Sequence, residues 1–113
     1  MNHKDITKAN PDLLSAVDLF VYSPPCQTFS KAGKQQGFLD TRGVLFFDAL
    51  KIIQAKRPKV AIMENVLGLT QKKFSKEFKE MLNSLNNSGY NNYWKILNAR
   101  DYGVPQNRER VFI

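Results

Sequence analysis

The stretch "VDLFVYSPPCQTFS", residues 17–30, decides how this chain is read. Its first half, "VDLFVYS" (17–23), is an apolar run rich in β-forming residues that stops at two prolines. That pattern predicts a buried strand. Pro24 and Pro25 each fix φ near about −65° and press the residues before them toward extended geometry. Cys26, the one cysteine in 113 residues, therefore leaves the strand at a defined point. A lone cysteine is by default a small buried hydrophobe. Any other role has to come from what surrounds it.

Outward from Cys26, residues 27–43 ("QTFSKAGKQQGFLDTRG") are mostly polar with three glycines and predict a long loop. "VLFFDALKIIQAK" (44–56) puts Leu45, Phe46, Ala49, Ile52 and Ile53 on one helical face, and Pro58 ends it. "KVAIME" (59–64) predicts a second strand. Phe74, Phe78, Met81, Leu82 and Leu85 recur at helical spacing over 74–87, with Gly89 as terminator. "YWKILNA" (93–99) and "RVFI" (110–113) predict two more strands, separated by the turn-rich "RDYGVPQNRE".

Strand, helix, strand, helix, strand is the alternation of a parallel sheet covered by helices, an α/β fold. The short link before "RVFI" predicts that the last strand runs antiparallel, at the edge of the sheet. Such sheets bind ligands just beyond the carboxyl ends of their strands. Cys26 follows the first strand, Glu64 and Asn65 end the second, and Gln106, Arg108 and Arg110 open the last. All three clusters converge on one crevice.

Composition narrows the chemistry. Seventeen Lys and Arg against ten Asp and Glu give a net charge of +7, which draws a domain toward polyanions, nucleic acid above all. Lys72, Lys73, Lys76 and Lys79 also suit the solvated face of one helix. A single cysteine excludes an internal disulfide and a cysteine-based zinc cluster, and it suits a reducing compartment. No apolar run approaches the roughly 20 residues of a membrane span, and "MNHKDITKAN" carries no signal-peptide core. Hydrophobic residues at 42% predict a folded chain, one domain at most.

A thiol, a carboxyl group and guanidiniums in one cleft suit few reactions. A cysteine hydrolase needs a histidine base, and the single histidine is His3, near the terminus. A zinc deaminase needs several metal ligands that one cysteine does not supply. What remains is thiolate addition to an electron-poor ring. Carbon 5 of cytosine becomes nucleophilic once a thiolate adds at carbon 6, with a carboxyl group on ring N3 and an arginine on O2 steadying the charge.

"PPCQTFS" resembles the nucleophile motif of the DNA (cytosine-5)-methyltransferases. "ENV" (64–66) resembles their glutamate motif, and "QNRER" (106–110) their Gln-x-Arg-x-Arg motif. The intervening "GFLDTRGVLFFD" and "NARDYGVPQNRERVFI" match in order and spacing. The resemblance covers nearly the whole chain. It implies a partial Rossmann-like sheet, S-adenosylmethionine as cofactor and double-stranded DNA with a flipped-out cytosine as substrate. By resemblance Cys26 is the nucleophile, Glu64 holds N3 and the exocyclic amine, Arg110 binds O2, and Arg108 steadies the site. Gln27, Ser30, Lys31, Arg42, Asn65 and Gln106 are the implied DNA contacts. Asp5, Ile6, Pro25 and Leu45 are the implied adenine pocket. A restriction–modification enzyme of the prokaryotic cytoplasm is the implied setting.

The chain also departs from the family. The glycine-rich Phe-x-Gly-x-Gly turn, the acidic residue for the cofactor ribose and the target-recognition region are not in these 113 residues. Tyr22 and Ser23 stand where the family usually has glycine or Gly-Phe. Residues 1–113 are therefore expected to be part of a catalytic domain and inactive alone. An exposed sheet edge favours dimerisation or strand exchange. An amino-methyltransferase reading fails because "SPPC" lacks the aromatic fourth residue. A DNA-binding fragment, or one half of a split methyltransferase, is the alternative.

Overall fold

The computed structural model describes residues 5–24 and 45–113. Cys26, Pro25, Gln27, Ser30, Lys31 and Arg42 lie outside the described residues. Four strands and two helices follow one another as β1 (Leu19–Tyr22), α1 (Leu45–Lys56), β2 (Val60–Val66), α2 (Ser75–Asn87), β3 (Lys95–Asn98) and β4 (Glu109–Phe112). Each falls inside or within two residues of its expected span.

The helices form where apolar spacing and terminators agree. On α1, Phe46, Ala49, Leu50 and Ile53 are buried, one stripe at i, i+3, i+4 and i+7. Arg57, at φ 49°, and Pro58 then stop it. On α2, Phe78, Met81 and Leu85 are buried, continuing a stripe begun by Phe74. Gly89 ends it with φ at +92°, a left-handed conformation that favours glycine. The two helix ends are tied together: the Arg57 guanidinium donates to the Ser88 carbonyl and lies 4.9 Å above the Tyr90 ring. Lys72, Lys73, Lys76 and Lys79 are all exposed.

The strand order is β1-β2-β4-β3. β1 runs parallel to β2, and β4 runs antiparallel to both β2 and β3, so β1, β2 and β3 share one direction. The expectation of an antiparallel strand is met in direction and corrected in position. β4 is interior, not at the edge. The crossover through α2 sets β3 two strand-widths from β2, and the short link after β3 returns β4 into the gap. Burial makes this arrangement favourable: Val111 of β4 is 0% exposed, between Asn65 and Ile96 in register. β1 and β3 are the edges of the described sheet.

Both crossovers advance across the sheet in the same sense, and right-handed connections then put both helices on one face. That face carries the core of Phe46, Ile53, Met63, Leu69, Met81 and Val111. Each such side chain stabilises the fold by roughly 1.5–3 kcal/mol relative to exposure. The opposite face carries Leu19, Val21, Val60 and Ile62, exposed by 53%, 63%, 51% and 36%, a continuous apolar row open to solvent. Among the described residues no helix is long and apolar enough to cross a membrane.

Candidate active site

Strand alternation decides which side chains meet. Glu64 pairs with Phe112 and Arg110 with Val66, so Glu64 and Arg110 are diagonal neighbours on the face away from the helices. Arg110 Nε lies 2.9 Å from Glu64 Oε1, with both side chains largely covered, at 23% and 29% exposure. The other carboxylate oxygen is also taken. Ser23, just past β1, donates its hydroxyl to Glu64 Oε2 at 2.6 Å. The carboxylate is therefore oriented from two strands, β1 and β4, on either side of its own.

Beside this pair opens a cleft of about 360 Å³. Glu64, Arg108 and Arg110 supply its charge, and Leu97, Tyr102 and Phe112 supply apolar and aromatic wall. A flat heteroaromatic ring with hydrogen-bonding edges suits such a mixture. Arg108 is exposed, and its backbone is held on both sides: its N–H donates to Asn98 Oδ1 at 3.2 Å, and its carbonyl accepts from Ala99 N–H at 3.0 Å.

Asn98 is the clasp behind this arrangement. It is 7% exposed, its Oδ1 accepts from the backbone N–H of both Arg100 and Arg108, and its Nδ2 donates to Asn107 Oδ1 at 2.7 Å. One amide thus closes the link between β3 and β4, with Gly103 at φ +84° making its turn. Sequence reasoning missed both Ser23 and Asn98. An Asn before a short helical turn, here Ala99–Tyr102, is a capping signal that points to Asn98.

Glu64, Arg108 and Arg110 are brought together, as their motifs imply. Gln106 is exposed on the β3–β4 link, outside the cleft lining. Asn65 needs a correction. It alternates away from Glu64, faces the helices with Val111, and is 2% exposed, so it is packed away from any DNA surface. Its Oδ1 accepts from the Val66 N–H, while its Nδ2 has no partner among the described residues.

The proposed adenine end is a separate patch. Asp5 caps the short turn Ile6–Lys8, its Oδ1 accepting from Thr7 N–H at 3.0 Å and Thr7 Oγ1 at 2.7 Å. Those hydrogen bonds hold its carboxyl below the usual carboxylate range. The turn rests against α1, whose first residue is Leu45, and Ile6 and Leu45 are both half-buried. Among the described residues no cluster of His, Cys, Asp and Glu forms a metal site.

Comparison with known proteins finds matches along almost the whole chain. The sequence profile of the family described as C-5 cytosine-specific DNA methylase matches residues 1–113. The chain is 48% identical over 114 aligned residues to type II methyltransferase M2.ScrFI of Lactococcus lactis subsp. cremoris, covering 98% of this chain and 32% of that protein. It is 42% identical over 109 residues to type II methyltransferase M.HhaI of Haemophilus parahaemolyticus, covering 96% and 33%. Among solved structures, the S. pombe Dnmt2 methyltransferase superposes with a TM-score of 0.69 at 28% identity, covering 98% of this chain and 34% of that one. The chain thus spans about a third of the length of the curated relatives it matches.

Proposed function

This chain belongs to the C-5 cytosine-specific DNA methylase family, and on that premise we propose that it carries the reacting centre of an enzyme that methylates carbon 5 of cytosine in DNA. The observation that supports this most directly is the 2.9 Å pair of Glu64 and Arg110. It joins the glutamate of "ENV" to the last arginine of "QNRER" on one sheet face, beside a cleft that suits a planar base.

In this reading the Cys26 thiolate adds to carbon 6 of a flipped cytosine, forming an S–C6 bond and moving electron density toward carbon 5 and N3. Glu64 binds the ring at N3 and the exocyclic amine, and Arg110 binds O2, so the developing charge meets fixed partners. Carbon 5 then takes a methyl group. Loss of the carbon-5 proton expels the thiolate and restores the ring. Arg108 and Asn98 hold the strand from which Arg110 projects. The net charge of +7 favours the DNA backbone.

The methyl donor is S-adenosylmethionine, whose sulfonium supplies an electrophilic methyl group. The residues at hand fit its adenine end. Asp5 keeps Oδ2 free of hydrogen bonds among the described residues, an acceptor for an exocyclic amine, and Ile6 and Leu45 offer apolar contact. Adenine contacts alone forgo most of the cofactor's hydrogen bonds, so the 113-residue chain by itself binds it weakly and is inactive. The proposed setting is the bacterial cytoplasm.

The experiment replaces the matched segment of the M.HhaI relative with this chain and offers DNA carrying 5-fluorocytosine at the target. Fluorine does not leave carbon 5 as a proton does, so a covalent complex should accumulate. Cys26→Ser should abolish it while DNA affinity stays nearly unchanged, since phosphate contacts dominate affinity. Glu64→Gln should slow trapping by about 100-fold, within the usual range for losing an acid–base group. Equal trapping by Cys26→Ser would overturn the proposal.

A further inference from the structure

The lysines of the described residues differ in how their charge is met. Lys51 Nζ lies 3.1 Å from Asp48 Oδ1, and Lys59 Nζ lies 2.9 Å from Asp18 Oδ1. Lys73 stands over the Phe74 ring, its ammonium 5.5 Å from the centroid. Lys72, Lys76 and Lys79 are exposed and form no ion pair among the described residues. Phe74, Phe78 and Met81 turn one side of this segment to the core. The three lysines, spaced four and three residues apart, line the opposite side.

Folding alone does not account for these charges. A helix favours cations in its last turn and disfavours them in its first. In α2 the order is reversed: Lys76 is in the first turn, Lys72 just ahead of it, and the last turn holds no basic residue. Lys72 and Lys76 are also four residues apart, where like charges repel. Their place in the fold gives a reason. β2 ends at Val66, in register with Arg110, and two short turns, Leu67–Thr70 and Lys72–Phe74, lead into α2. The first of them rests against β4. The lysine-bearing half of α2 therefore stands at the same sheet edge as Glu64, Arg108 and Arg110, on the outer flank beside the cleft.

We propose that Lys72, Lys76 and Lys79 hold the sugar–phosphate backbone of duplex DNA beside the cleft, each ammonium against a phosphate. Such contacts carry no sequence information; they add affinity and fix how the duplex lies across the sheet edge. Each phosphate met releases condensed counterions, adding about 0.9 to the logarithmic slope of affinity against salt. The cost that the lysines impose on α2 is then offset in the complex, where the facing charge is negative. The partner is DNA because the cleft at that edge is read as a cytosine site, and the inference rests on that reading.

The test measures binding of the 113-residue chain to a labelled duplex of A·T pairs by fluorescence anisotropy across a salt series. That duplex holds no cytosine, so the result does not depend on the chemistry of the cleft, which the 5-fluorocytosine trap tests separately. Lys72→Gln, Lys76→Gln and Lys79→Gln combined should flatten the slope of log affinity against log salt by about 2–3. The same variant should melt no lower than the parent, since it removes charges that the helix disfavours. Lys56→Gln, Lys59→Gln and Lys95→Gln, an equal loss of charge at the amino ends of the strands, should leave the slope within about 0.5 of the parent. An unchanged slope in the α2 variant would overturn the proposal. So would an equal loss in the amino-end variant, because net charge and not this face would then be meeting the DNA.

Discussion

Ser23 and Glu64 are bound by a 2.6 Å hydrogen bond between the residue just past β1 and the C-terminal half of β2. With Arg110 on the other oxygen, the carboxylate is fixed in a plane set by two neighbours. Ser23 stands only three residues ahead of Cys26 in the sequence, the proposed nucleophile.

Ser23→Ala removes one charge-assisted donor and leaves the ion pair. In the M.HhaI-based chimera it should lower kcat about tenfold, the equivalent of roughly 1.4 kcal/mol and within the range for a hydrogen bond to a charged group. DNA affinity should be unaffected. Ser23→Thr, which keeps the hydroxyl, should recover most of the rate. A steady-state kinetic comparison of the three proteins checks this, and equal kcat for Ser23→Ala would show that Arg110 alone orients Glu64.

How much of this was legible in the sequence varies with range. Helices and strands were readable because Phe46, Ala49 and Ile53, or Phe78, Met81 and Leu85, repeat at periods that admit one structure. The convergence of Glu64 with Arg110 was readable from strand ends. The interior place of β4 was not, because strand order depends on how far the α2 crossover carries the chain, which local pattern does not encode. Asn65 was misplaced for a different reason. Placing Glu64 on the open face already turns its neighbour inward, and motif resemblance concealed that consequence. Ser23 was hidden because a serine before two prolines reads as a turn residue until its partner across the sheet is known.

Asn98 carries the second prediction. Its buried amide serves two backbone donors and one side-chain acceptor. Asn98→Ala strands those groups and should cost about 2–3 kcal/mol, read as a lower urea midpoint with an unchanged slope. Asn98→Asp keeps the acceptor oxygen and should cost less. A loss below about 0.5 kcal/mol for Asn98→Ala would show that the β3–β4 link is held by its backbone bonds alone.

Gly89 gives a purely conformational prediction. Its φ of +92° disfavours any side chain, and a Cβ there would sit 3.1 Å from Arg57 Nη2. Gly89→Ala should destabilise the chain by about 1 kcal/mol or somewhat more and lower the melting temperature by about 4–8 °C. Gly103, at φ +84° with open space around it, isolates the backbone term. Gly103→Ala should be the milder change of the two, and calorimetry of both variants separates strain from the clash with Arg57.

Tyr22 supplies the pH dependence. Burial against the core raises its phenol above the ordinary value of 10.0, because the charged form loses hydration there. The sign follows from which state keeps its proton. Below pH 10 both states hold the phenolic proton, and the packing of Tyr22 contributes in full. Above it the unfolded chain releases the proton while the folded chain retains it, so stability is lost as pH rises, by up to about 1.4 kcal/mol per pH unit for this one group. Tyr22→Phe keeps the ring and removes the ionisation. Its urea midpoint should match the parent at about pH 8 and exceed it at about pH 11, a difference that cancels the lysine titration shared by both proteins. Parallel curves for the two proteins across that range would mean that the Tyr22 hydroxyl reaches water in the folded chain.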